Sequence, residues 1–170
     1  MGISSAFANS IIITVGSVIV ILLFSSMAAW VLVRDKSTKS KVVFYIFTAG
    51  MIVPFQAVMI PLVQWMGKMK FGAFDMLGTH YGLIFMYLGF GASMSIFLYH
   101  GFIKNIPLEL EEAATLDGCS MLRMFFSVVF PLLKTITVTV AILNVMWIWN
   151  DFLLPNLIIN RAGWQTLPLK

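Results

Sequence analysis

Leu108-Glu109-Leu110-Glu111-Glu112-Ala113-Ala114-Thr115-Leu116-Asp117-Gly118 is the one acidic cluster of a chain that is otherwise mostly apolar. Carboxylates at Glu109, Glu111 and Glu112 do not lie in hydrocarbon, so this stretch belongs in water or against another protein. The rest of the chain gives the contrast its meaning. Of its 170 residues 60% are hydrophobic and only 11% charged, against roughly a quarter charged in soluble domains. A soluble core of this size cannot hide so much apolar surface, so most of the solvent is lipid.

Working outward from the cluster, four stretches are long enough to span a bilayer at roughly 20 apolar residues each. They run over about 9–33, 42–66, 82–103 and 132–154. Continuous apolar runs favour helices over barrel strands, which would alternate. The expected fold is an all-α integral membrane protein, a single domain over 1–170, with the acidic cluster inside a loop of about 104–131. Arg34, Lys36, Lys39 and Lys41 crowd the connection after the first span, and Lys104, Arg123 and Lys134 flank the acidic loop. The connection after the second span carries only Lys68 and Lys70, and Arg161 follows the fourth. By the positive-inside rule the Arg34–Lys41 connection and the acidic loop face the cytoplasm, in a multi-pass protein of the cytoplasmic membrane. The first span then starts outside with no charge before Arg34, which predicts a fragment that lacks an earlier span.

The charge pattern excludes a nucleic-acid partner, because a net charge of +4 sits in loops as a topology signal rather than in a patch. One cysteine, Cys119, excludes an internal disulfide, and no His/Cys cluster has metal spacing. No catalytic, cofactor-binding or metal-ligating set emerges.

Within the acidic loop, Pro107 suits a first helical turn, and the glutamates complement the helix dipole. Gly118 suits the position past the helix end, where a positive φ is cheap. The spacing predicts a helix over Pro107–Asp117, with Leu110, Ala113 and Ala114 on one narrow stripe. Glu111, Glu112 and Thr115 fall on the other side, their carboxylates free to meet basic groups of a partner. Ser120 suits the N-cap of a second helix, Met121 to Val129, ended by Pro131. Two ordinary connecting helices held to the membrane surface would explain these features equally well.

Elsewhere, Pro54 and Pro61 with Gln56 and Gln64 mark a kinked second span that either packs on neighbours or lines a cavity. Ser25 with Ala29, Gly89 with Ser93 and Gly91 with Ser95 have small-xxx-small spacing for close helix contact. Tyr81 and Tyr99 read as interfacial anchors. Gly67, Gly72 and Gly78 mark a turn-rich outer loop. Asn144, Asn150 and Asp151 are unusual for a lipid-facing surface. Asn150 and Asp151 either close an aromatic belt with Trp147 and Trp149 or border a solute path. Pro54, Gln56, Asn150 and Asp151 are the candidate path residues.

One longer pattern goes beyond these local signals. Glu112-Ala113-Ala114, then Gly118, Val128 and Pro131, resembles the signature loop of the membrane subunits of bacterial ABC importers, departing from it only in Val128 for Ile and Phe130 for Leu. Asn9-Ser10, Ala28-Ala29-Trp30 through Arg34, Phe102 to Pro107, Trp149-Asn150-Asp151-Phe152-Leu153 with Pro155, and Thr166-Leu167-Pro168-Leu169 extend the resemblance to the maltose-type carbohydrate permeases. Such permeases have about six spans per subunit. The resemblance implies a non-enzymatic permease for a sugar or oligosaccharide, or for a sugar phosphate such as glycerol 3-phosphate. It implies a second permease subunit, two cytoplasmic ATPase subunits that use the ATP, and an extracytoplasmic solute-binding protein. Glu112, Ala113, Ala114, Asp117 and Gly118 would then form the coupling helix at the ATPase interface. A gradient-driven transporter and a membrane scaffold are the rival classes.

Overall fold

A computed structural model describes residues 3–68, 70–71, 74–159 and 164–169. The expected positions Gly72 and Arg161 lie outside the described residues. Thirty-two residues with no charge before the last form α1 (Ile3–Arg34), about 48 Å long at 1.5 Å per residue. α4 (His80–Ile103) has 24 residues, capped by the Thr79 hydroxyl, which accepts from the Gly82 N–H. Both are long and apolar enough to cross a membrane.

α1 and α4 run side by side in the same direction. Ile13 and Ile21 share one buried cluster with Leu83 and Tyr87, and Ala29 and Trp30 share the other with Ile96, Tyr99 and Ile103. α8 (Lys134–Asn150) runs the opposite way, with Val140 in the second cluster and Ile148 in the first. Because α1 and α4 are parallel, the chain between them has to travel back the length of the bundle. α2 (Thr38–Gly50) and α3 (Phe55–Lys68) make that return, bent by 105° against each other. The bend falls where Pro54 biases Val53 away from helical backbone, while Pro61 is carried inside α3. A two-residue antiparallel pair, Lys70–Phe71 with Phe74–Asp75, follows. Gly78, at φ +77°, donates its N–H to the Ile158 carbonyl at 3.0 Å, tying this turn to α9 (Leu153–Ile158).

The three long helices meet at Gly91. A Cβ there would lie 2.7 Å from Ile21 Cδ1 and 2.8 Å from Asn144 Oδ1. Asn144 is buried and donates to Ser95 Oγ at 3.1 Å and to the Val140 carbonyl at 2.9 Å. In lipid such a side chain is stable only with partners, and Gly91 and Ser95 leave the room for them. The parallel expectation for Gly89 is corrected: apart from its chain neighbours and its own helix backbone, no atom lies within 4 Å of where its Cβ would stand. Tyr99 is corrected as well. It is fully buried and donates to Thr137 Oγ1 at 3.0 Å, whereas Tyr81 is 72% exposed. The result is an all-α membrane protein whose basic residues Arg34, Lys104 and Lys134 mark the same end of the helices.

Candidate functional site

The acidic loop is built into that end of the bundle. α5 (Glu109–Leu116) is shorter than expected and starts after Leu108, with Glu109, Glu111 and Glu112 in its first turn. Their charge complements the partial positive charge of the free N–H groups there. Its far end closes through two reverse bonds. Cys119 N–H reaches the Ala114 carbonyl and Gly118 N–H the Thr115 carbonyl, both at 3.0 Å. This six-to-one closure needs a left-handed residue at its centre, and Gly118 has φ +75°.

The faces of α5 differ from the expected ones. Glu111 is 6% exposed and turns inward onto α1. Its Oε1 accepts from Arg34 Nε at 2.8 Å, with Arg34 Nη2 at 2.6 Å. Its Oε2 accepts from Trp30 Nε1 at 2.9 Å. Arg34 Nη2 also donates to the Ile106 carbonyl at 3.1 Å, just ahead of α5. Glu111 is therefore a clamp within the chain and not a carboxylate free for a partner. Ala114, three positions on, packs into the core cluster beside Trp30 and Phe125, so the expected stripe is split, with Ala113 and Leu110 outward and Ala114 inward. Glu112, Ala113, Asp117 and Gly118 are exposed, and Leu116 is 89% exposed.

Ser120 caps the next segment, its hydroxyl accepting from Arg123 N–H. The expected single helix is instead α6 (Met121–Met124), a π-helical stretch Phe125–Val129 and α7 (Phe130–Leu132). Pro131 does not end it. Proline clashes with the carbonyl four residues back. The wider π turn, in which Phe130 N–H bonds to the Phe125 carbonyl, takes the backbone out of that register. The break comes at Leu133, where the chain bends by 80° into α8. Phe125, Val129 and Leu133 are all fully buried.

The four path candidates fall on two segments, the start of α3 and the end of α8. Pro54 and Gln56 are exposed at the start of α3. Asp151 accepts from the buried Tyr87 hydroxyl at 3.0 Å and from Leu153 N–H at 3.0 Å, so it caps the chain between α8 and α9. Trp147 packs edge-on against Tyr87 and Trp149 against Phe7. Asn150 is exposed and donates to the Met146 carbonyl at 2.7 Å. Among the described residues no three His, Cys, Asp or Glu side chains gather as metal ligands would.

Sequence spacing missed the clamp because helical periodicity does not say which of three neighbouring glutamates faces in. A signal was present on the other helix. Trp30 and Arg34, four apart at the end of α1, put two donors on one face.

Residues 21–170 match the model of the family described as binding-protein-dependent transport system inner membrane component. The chain is 52% identical over 169 residues to the probable starch degradation products transport system permease protein AmyC of Thermoanaerobacterium thermosulfurigenes, covering 99% of this chain and 60% of that protein. It is 39% identical over 172 residues to the multiple sugar-binding transport system permease protein MsmG of Streptococcus mutans, with the same coverage. It thus spans about three-fifths of these relatives. A crystal structure of a bacterial ABC transporter involved in the import of the acidic polysaccharide alginate shares the fold, with a TM-score of 0.81 at 23% identity over 97% of this chain and 55% of that one.

Proposed function

The chain belongs to the family of binding-protein-dependent transport system inner membrane components, and we propose that its parent protein is the permease subunit of an ATP-driven importer of a sugar or oligosaccharide. In this reading α5 is a coupling helix that seats in a cleft of a separate ATPase. The assembly comprises a second permease subunit, two cytoplasmic ATPase subunits and an extracytoplasmic solute-binding protein. The basic end of the bundle faces the cytoplasm in a multi-pass protein of the cytoplasmic membrane. ATP is bound by the ATPase, since this chain carries no Gly-x-x-x-x-Gly-Lys-Ser/Thr motif.

What supports the reading most is the outer face of α5. Glu112, Ala113, Leu116, Asp117 and Gly118 stand exposed on a helix that is itself fixed to α1 through Glu111. Exposed Leu110 and Leu116, followed by Met121 at 66% and Leu122 at 62%, make an apolar surface of the kind another protein covers. The small side chain of Ala113 lets a partner backbone approach closely, and the flanking Glu112 and Asp117 suit basic groups there. For the solute, the relatives are named for starch degradation products and multiple sugars, and another for melibiose, raffinose and stachyose. None of these names a sugar phosphate. Among the path candidates, the exposed amides of Gln56 and Asn150 are proposed to meet the solute, while Pro54 shapes the bend and Asp151 is held by Tyr87. Unchanged apparent KM for uptake in Gln56→Ala and Asn150→Ala would remove them.

The decisive test is Ala113→Trp in the full-length complex. The exposed position tolerates the ring in the permease itself, so the expected result is an assembled complex whose ATP hydrolysis no longer drives uptake. Normal uptake with normal coupling would refute the seat assigned to α5.

A further inference from the structure

Where α1 ends, α2 begins and α4 ends, the chain encloses a recess of about 360 Å³, within the range of roughly 300–1,000 Å³ typical of small-molecule sites. Its wall is apolar on the side of the bundle, formed by Leu32 and Val33 of α1 and by Phe44 and Tyr45 of α2. Phe44 is stacked on His100 at 3.8 Å, which closes the floor. Its mouth carries Lys36, Lys41 and Lys104, from the α1–α2 turn, α2 and the end of α4. These three ammonium groups are exposed, and among the described residues none has an ion pair. The single carboxylate in the lining, Asp35, is turned to its own turn. It accepts from the Ser37 N–H and hydroxyl at 3.0 and 2.8 Å and from the Ser40 hydroxyl at 2.5 Å. Lys39, on the same turn, does not line the recess.

We propose that this recess binds an anionic phospholipid, its phosphate held by Lys36, Lys41 and Lys104 and an acyl chain lying along Leu32, Val33, Phe44 and Tyr45. An apolar wall continuous with the bundle surface and a cationic mouth at the helix ends match a lipid standing at headgroup level. A basic connection that merely fixed topology would need neither a recess of this volume nor lysines lining it from separate elements. The inference rests on the membrane reading of the helices and not on the solute or on the ATPase.

The full-length permease complex is reconstituted into bilayer discs of equal parts phosphatidylglycerol and phosphatidylcholine. It is then extracted in mild detergent, and the retained lipids are counted by mass spectrometry. Phosphatidylglycerol is expected to be enriched over phosphatidylcholine. Each of Lys36→Gln, Lys41→Gln and Lys104→Gln should lower that enrichment roughly five-fold. Lys39→Gln should leave it unchanged, and Lys36→Arg, Lys41→Arg and Lys104→Arg should keep it. Reading the singles separately covers a combined variant that fails to assemble. No enrichment in the wild type, or an equal fall in Lys39→Gln, would overturn the site in favour of a diffuse surface charge. Displacement of the retained lipid by inorganic phosphate alone would overturn it in favour of a free-anion site. Retention is read without solute or ATP, so it stands or falls apart from the transport reading.

Discussion

Replacing Glu111 with glutamine keeps the side-chain shape and removes the charge that fastens α5 to α1. The wild-type carboxylate takes Arg34 on one oxygen and Trp30 on the other, and the side chains of Arg34 and Glu111 are only 20% and 8% exposed. Breaking a buried pair by neutralising one member costs about 3–5 kcal/mol. Arg34 retains a fifth of its exposure and its bond to the Ile106 carbonyl, which places the expected loss near ~3 kcal/mol. At tenfold per 1.4 kcal/mol that is about a 100-fold rise in the open population of α5. Amide hydrogen exchange on the full-length complex reads it directly, at the N–H groups of Asp117, Gly118 and Cys119 that close the helix. The amides of α4 should be unaffected. Arg34→Met should act alike, and the double variant should be little worse than either single, a coupling of ~2 kcal/mol or more. Unchanged exchange in Glu111→Gln, or additive effects in the cycle, would show that the contact does not hold the helix.

Two further outcomes test the packing and the turn. Gly91→Ala places a methyl 2.7 Å from Ile21 and 2.8 Å from Asn144 Oδ1 and should cost about 1–3 kcal/mol, seen as a lower Tm in detergent, whereas Gly89→Ala, facing open space, should be neutral or slightly stabilising. Asp35 is held below the usual carboxylate range by the Ser40 and Ser37 hydroxyls and the Ser37 N–H. A depressed folded value means that its contribution is complete above the ordinary value of 3.8 and is lost as pH falls through the lower folded value. The first turn of α2 should therefore stay protected from exchange at pH 5 to 8 and fray only in stronger acid, while Asp35→Asn should fray it at every pH.

How far the sequence carried the fold follows from what each residue type can signal alone. Uninterrupted apolar length and the basic residues at its ends are properties of one segment, and they placed α1 and α4 well. The positive φ of Gly118 and the Ser120 cap were legible for the same reason, being local backbone needs. The bends were legible only in part. A kinked second span was expected from Pro54 and Pro61, and it does bend, by 105°, but the two prolines look alike in sequence and only the first falls at the break. Pro131 was expected to stop a helix that instead widens around it, since relief in a π turn depends on Phe125 and Val129 being held by the core. Pairings between distant elements were least visible. Asn144 was conspicuous as a polar residue, but its partner Ser95 and the space left by Gly91 lie on another helix. The partner of Asp151 was hidden in the same way, because nothing in its own segment announces Tyr87.

These pairings decide how a push on α5 would travel. α5 is attached twice, to the end of α1 through Arg34 and Trp30 and to α8 through the π segment. A bend of 80° looks like a hinge. Its residues Phe125, Val129 and Leu133 are nevertheless fully buried, and Phe125 packs on Trp30 with ring centres 5.5 Å apart. A close-packed joint of this kind resists bending. In the proposed transporter α5 then moves with α1 and α8 as one body, and does not swing in its cleft on a loose loop. Spin labels at the exposed Lys39, in the first turn of α2 just past α1, and at the exposed Glu109 of α5, both outside the surfaces assigned to lipid and ATPase, would measure this in the full-length complex. Their separation should stay constant between the nucleotide-free and ATP-bound states. A change approaching one helical turn, about 5 Å, would show that the Arg34–Glu111 contact breaks in every cycle and that α5 acts as a lever on its own.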